Sequence, residues 1–214
     1  NMFEKRLALL EGAEECRAMA SGMAAVYAAL ASHLSAGHRL VASRALFGSC
    51  QYICGELLPR FGVKSEFVDG TDMKQWEAAL SKPTQAVFLE TPSNPGLEII
   101  DLRRVCELAH KAGAVVIVDN VFATPVLQKP LTFGADVVVY SATKHIDGQG
   151  RTLGGIVLGS KALIEGDVHT LLRQTGASLS PFNAWVLLKG LETMAIRVAR
   201  MTESAAKIAA FLDG

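Results

Sequence analysis

Lys144 is the residue around which chemistry can be built. It follows the apolar run Val137-Val138-Val139-Tyr140, stands close after Ser141 and Thr143, and leads into a loop carrying Gly148, Gly150, Gly154 and Gly155. A short β-branched run reads as a buried strand, and a lysine at its end can reach into a site while the strand holds its backbone still. That amine can serve as a nucleophile, as a charge for a phosphate, or as a solvated strand-end side chain. Ser141 and Thr143 add two hydroxyls suited to phosphate oxygens, or to satisfying the strand end itself. Asp119 closes the very apolar segment AVVIVD, so its charge needs a partner. A carboxylate there can hold a protonated pyridine nitrogen, cap a helix or enter a salt bridge. At Ser21-Gly22-Met23 an alanine-rich helical run begins. The Gly22 and Met23 N–H groups then lie at the positive end of a helix, a ready anion site, although Ser21 can equally be an ordinary N-cap. Phe47, just past a strand, can stack on a flat ring or pack into a core.

Together these parts describe pyridoxal 5′-phosphate held by its phosphate, ring face, ring nitrogen and aldehyde. A lysine Schiff base with an Asp on the pyridinium nitrogen is the pairing that cofactor requires. Two other enzyme and binding motifs fit less well. Ser141-Ala-Thr-Lys144 matches the S-x-x-K of acyl enzymes, but its serine ends a strand and no SDN or KTG element occurs. Gly148-x-Gly150 is followed by Gly154, one residue too far for a dinucleotide-binding G-x-G-x-x-G. A cofactor-binding module without activity is a third alternative.

The elements that must position these residues alternate. Helices are expected over 2–11, 24–34, 48–58 (stopped by Pro59), 72–80 with Asp72 as N-cap, 101–112, from about Lys161, and one or two over 182–212. Strands are expected over 38–43, 63–68, 85–90, 114–119, 137–140 and 155–159, with a sharp loop at Thr91-Pro92-Ser93-Asn94-Pro95-Gly96. Such alternation implies an α/β fold, a mainly parallel sheet covered by helices on both faces. Ligands bind such sheets at the carboxyl ends of the strands. Glu90, Asn94, Asp119, Ser141, Thr143 and Lys144 all fall at or just past strand ends, which gathers them on one edge. Without internal repeat or linker, residues 1–214 read as one domain.

The totals narrow the function further. Lys and Arg balance Asp and Glu, 21 against 21, which leaves no basic field for nucleic acid. No apolar run reaches membrane-spanning length, and the first residues, NMFEKRLALLEG, read as an amphipathic helix rather than a signal peptide. The four cysteines (16, 50, 54, 106) lack metal-knuckle spacing and the five histidines form no i, i+4 pair, so no metal site is expected. Reduced, partly buried thiols suit a cytoplasmic protein.

The motifs ASGMAA (20–25), ETPSNP (90–95), VDNVFATP (118–125), SATKH (141–145) and TGASLSPFNAWVLLKGLET (175–193) resemble, in this order, those of the Cys/Met-metabolism family of pyridoxal-phosphate enzymes. The resemblance implies the large domain of the aspartate-aminotransferase-like fold. It implies Lys144 as the Schiff-base lysine and proton carrier, and Asp119 on the pyridinium nitrogen. Gly22 and Met23 amides with the Ser141 and Thr143 hydroxyls would hold the phosphate, Phe47 would stack on the ring, and Asn94 would bond the phenolic oxygen. The implied reaction is γ-replacement on an O-acylated homoserine: O-succinylhomoserine loses succinate, sulfide adds, and homocysteine results. SATKHIDGQGRTLGG is most similar to the sulfhydrylase branch, where related γ-synthases and γ-lyases carry GHSD in place of Gly148-Gln149-Gly150-Arg151. Phe47 stands where most members have a tyrosine, which removes a phenolic acid or base. The family's N-terminal arm and C-terminal small domain are expected to lie outside this chain. A homodimer or homotetramer is implied, because the arm completes a neighbour's site. Arg151 could attract the succinyl carboxylate, or pin the glycine loop by an internal salt bridge.

Overall fold

Strands with apolar residues on both faces force a layered arrangement, and the computed structural model, which describes residues 2–214, has it. In chain order the elements are α1 (Met2–Glu11), β1 (Glu15–Met19), α2 (Gly22–Ala31), β2 (Arg39–Ser43), α3 (Gly48–Tyr52), β3 (Lys64–Val68) and α4 (Met73–Ala79). Then follow β4 (Ala86–Glu90), α5 (Leu102–Lys111), β5 (Val115–Asp119), α6 (Thr124–Leu127), β6 (Val137–Ser141), β7 (Gly155–Gly159), α7 (Lys161–Leu163), α8 (His169–Thr175) and α9 (Pro181–Asp213). Seven strands form one sheet in the order β1-β7-β6-β5-β4-β2-β3. The run from β3 to β6 is parallel, while β7 pairs antiparallel with both β6 and β1.

Alternation along each strand divides the core. Ala86 and Phe88 pack with α2 and α3 on one face, while Val87 and Leu89 pack with α4 and α5 on the other. A third cluster joins Val138, Tyr140, Ile156 and Leu158 to Phe3, Leu7, Leu187 and Leu191, residues of α1 and α9. Burying each such aliphatic side chain contributes about 1.5–3 kcal/mol, so the sheet is held rigidly from both sides. Helix starts follow their caps. The Ser21 hydroxyl accepts from the Ala24 N–H, Asp72 from Lys74, Asp101 from Arg104, and Ser180 from Asn183.

Three features depart from the sequence reading. The strand Glu15–Met19 was not expected, because Glu15 and Arg17 put charges at alternate positions; it lies at the sheet edge, where that face stays partly open. The expected helix over 48–58 is α-helical only to Tyr52, widens to a π turn over Ile53–Leu57, and tightens to a 3-10 turn over Leu58–Phe61. Pro59 sits in the first turn of that last piece, where its missing N–H is tolerated, so it does not stop the chain. The third is the return from β6 to β7. It is an antiparallel connection along the sheet edge with no crossover helix, and Lys144 rides on it.

Candidate active site

The strand order places a switch point between β2 and β4. The connection after β2 runs outward to β3, whereas the chain after β4 runs to β5 on the other side. A crevice opens at the carboxyl ends of strands where their connections diverge in this way. There a cavity of about 510 Å³ is lined by all eight residues singled out from the sequence: Gly22, Met23, Phe47, Asn94, Asp119, Ser141, Thr143 and Lys144. The same cavity is lined by Glu90, Phe122, His145 and Leu153.

At one end is an anion cradle. Ser21 satisfies Ala24 through its hydroxyl at 3.2 Å and Ala25 through its carbonyl at 3.1 Å, which leaves the Gly22 and Met23 N–H groups unpaired among the described residues. The capping role of Ser21 and an anion site at Gly22 therefore coexist. Helix α2 comes very close to β6: a Cβ on Gly22 would meet the Ser141 Cβ at 2.6 Å. Only glycine lets the helix start lie against the strand end here. The start of β7 is equally tight, since a Cβ on Gly155 would meet the Ser21 carbonyl oxygen at 1.9 Å. Ser141 Oγ bonds no protein group among the described residues. Thr143 Oγ1 accepts from the Gly154 N–H at 3.2 Å and reaches the Gly154 carbonyl only at 3.4 Å, so its proton can turn to a better acceptor.

Asp119 lines the same cavity. It is 6% exposed, and its carboxylate accepts a single hydrogen bond, from the Val121 N–H at 3.0 Å. No cation pairs with it among the described residues. Burial, then the charge of Glu90, push its carboxyl up to about 7, against the opposing pull of the Val121 N–H. Glu90 is its direct neighbour in strand register. A buried carboxylate without a cation is costly, and a protonated ring nitrogen is the kind of group that would relieve it. Lys144 is held by backbone bonds, its N–H to the Ser141 carbonyl at 3.2 Å and its carbonyl to the Gly148 N–H at 2.7 Å. Its Nζ bonds no protein group among the described residues. Phosphate donors, an orphaned carboxylate and a free amine around one cavity fit pyridoxal phosphate.

Arg151 is placed otherwise than a succinyl-binding role requires. Its Nε donates to Asp147 Oδ1 at 3.0 Å and its N–H to Asp147 Oδ2 at 2.7 Å, with Asp147 fully buried. The guanidinium is thus spent on pinning the glycine loop, and Arg151 does not line the cavity. Glu90 is the site residue whose part the sequence reading missed. Its signal was present: AVFLE, like VVIVD, is an apolar strand closed by a carboxylate.

The sequence profile of the "Cys/Met metabolism PLP-dependent enzyme" family matches residues 1–214. The chain belongs to that family. Its cofactor is therefore pyridoxal phosphate, and the fold is that of the type I pyridoxal enzymes. Among members, the chain is 61% identical to an O-succinylhomoserine sulfhydrylase of Mycobacterium tuberculosis, over all of this chain and 53% of that protein. It is 46% identical to the enzyme of the same name from Pseudomonas aeruginosa, over 99% of this chain and 52% of that one. The cystathionine γ-synthase of Xanthomonas oryzae, solved with aminoacrylate and cysteine, superposes with a TM-score of 0.96 at 37% identity, covering 100% of this chain and 55% of that one. The chain thus spans about half the length of the curated relatives it matches.

Proposed function

We propose that this chain is the cofactor-binding domain of a pyridoxal-phosphate-dependent sulfhydrylase that converts O-succinylhomoserine and sulfide to homocysteine and succinate, a step of methionine biosynthesis. The observation that carries the cofactor half of this reading is the buried, uncompensated Asp119 carboxylate, which lines one cavity with Lys144 and the Gly22 cradle. The choice of substrate rests on the likeness to the two sulfhydrylases.

Bound pyridoxal phosphate supplies an aldehyde for an amine and a protonated ring that draws electrons from neighbouring substrate bonds. Gly22 and Met23 N–H groups with the Ser141 and Thr143 hydroxyls would bind the phosphate, and Asp119 would keep the ring nitrogen protonated. Phe47 would pack on the ring face, and the Asn94 amide would bond the phenolic oxygen. Lys144 would hold the aldehyde and would be the amine that carries protons at the substrate Cα and Cβ. Across the reaction the Cγ–O bond to succinate breaks and a Cγ–S bond to sulfide forms. Phe47 has no phenol, so proton transfer falls on Lys144. We further infer a homodimer or homotetramer acting in the cytoplasm. Four buried, unpaired cysteines favour a reducing compartment, and no described helix is long and apolar enough to cross a membrane.

The test is to assay the full-length enzyme on O-succinylhomoserine with sulfide or cysteine. Homocysteine formed from sulfide faster than cystathionine from cysteine supports the reading. A preference for cysteine moves the protein to the γ-synthase branch, and turnover only by elimination moves it to the γ-lyases.

A further inference from the structure

One carboxylate bridges the switch-point crevice. Glu90 Oε2 accepts from the Phe47 N–H at 2.7 Å, and Glu90 Oε1 accepts from the Asn94 N–H at 2.9 Å. Phe47 belongs to the connection after β2 and Asn94 to the connection after β4, the two segments that part company at the switch point. Glu90 is 4% exposed at the last position of β4, where it pairs in register with Asp119 of β5. Neither of its two clients has a side-chain hydrogen bond among the described residues. The Phe47 side chain belongs to no apolar cluster, is 43% exposed, and caps α3 without a side-chain bond. The Asn94 side-chain amide bonds no protein group among the described residues. The Phe47 carbonyl is held by the Cys50 and Gln51 N–H groups at 2.8 and 3.0 Å, and Glu90 holds the Phe47 N–H and ties it to the Asn94 N–H across the crevice. Hydrogen bonds to an ionised acceptor are about twice as strong as neutral ones, and a buried carboxylate retained here needs both donors.

We propose that Glu90 is a positioning residue for the cofactor. Its single carboxylate fixes Phe47 and Asn94 together, and so sets the ring-face and ring-edge contacts relative to Asp119 beside it. This rests on the pyridoxal reading of the preceding subsection.

The test uses the full-length protein, with pyridoxal 5′-phosphate titrated onto the apo form and followed by visible absorbance and induced circular dichroism. Glu90→Gln keeps the shape but sets an amide donor against one of the two N–H donors. It is expected to weaken cofactor affinity at least tenfold and to change the visible dichroism, which reports ring orientation. In a Phe47→Ala/Asn94→Ala background the same substitution should change affinity less than twofold, because the N–H donors remain but the side chains they position are gone. Affinity and dichroism unchanged within twofold, or the same fold loss in both backgrounds, overturns the proposal. Should the Gln variant fail to fold, Glu90→Asp, too short to span both donors, is read against the same two outcomes. A wild-type protein with no visible band refutes the cofactor reading and the clamp with it; a band indifferent to Glu90 refutes the clamp alone.

Discussion

Asp119→Asn should move the stability of the apo and cofactor-bound protein in opposite directions. The Asp119 carboxyl rises from 3.8 to about 7 through burial and the neighbouring Glu90 charge. The folded state therefore binds the Asp119 proton more tightly than the unfolded chain does. The group costs nothing below about pH 4, and stability falls as pH rises through 7, with a cost on the order of 2–4 kcal/mol once the carboxylate is ionised. Asparagine keeps an acceptor for the Val121 N–H and removes the buried charge. In urea unfolding at pH 8 the apo variant should gain stability of that order, and the gain should shrink towards pH 4. With pyridoxal phosphate present the sign reverses. Removing one partner of a buried ion pair costs about 3–5 kcal/mol, so cofactor affinity should fall by about 100-fold or more. An apo variant less stable than wild type at pH 8 would refute the claim that Asp119 is an uncompensated charge. An unchanged affinity would refute its pairing with the ring nitrogen.

Three further substitutions probe other parts of the account. Gly22→Ala forces a Cβ to 2.6 Å from the Ser141 Cβ; overpacking of this kind costs about 1–3 kcal/mol, so a lower melting temperature and at least tenfold weaker cofactor binding are expected in a thermal scan and a titration. Glu11, buried with its carboxyl pushed up to about 7 mainly by burial, accepts from the Tyr140 hydroxyl while its Oε1 has no partner. Glu11→Gln should stabilise the protein by about 1–3 kcal/mol at pH 8 and by little near pH 4, measured by urea unfolding. Arg151 is bonded to Asp147, so Arg151→Met should lower kcat/KM by the same factor for O-succinyl- and O-acetyl-homoserine in steady-state assays. A loss confined to the succinyl ester would restore the substrate-binding role.

The parallel core was legible because its strands, AVFLE, VVIVD and VVVYS, are apolar on both faces, which few other structures require. Edge strand β1 was not, since ECRAM faces solvent on one side and its charges mask the pattern. The antiparallel direction of β7 and the π turns at 53–57 and 164–168 arise from tertiary packing and leave no local signal. In the site, Asp119 stood out because a charged residue closing an apolar strand demands a partner, and Lys144 because it follows such a strand into a glycine loop. The competing roles of Arg151 were separable in principle, as Asp147 stands four residues earlier, within reach for a salt bridge. Glu90 closes its strand as Asp119 does, but its partners were hidden, because they are backbone N–H groups, one of them 43 residues away. Side-chain identity at those positions carries no trace of that bond.

The central claim is that Lys144 is the amine that holds pyridoxal phosphate. Borohydride reduction of the cofactor-loaded full-length protein, followed by peptide mass mapping, tests it most directly. The account predicts that a visible absorption band bleaches and that a pyridoxyl phosphate adduct maps to Lys144, with Lys144→Ala carrying none. A label on another lysine, or a protein that takes up no cofactor and shows no band, contradicts it.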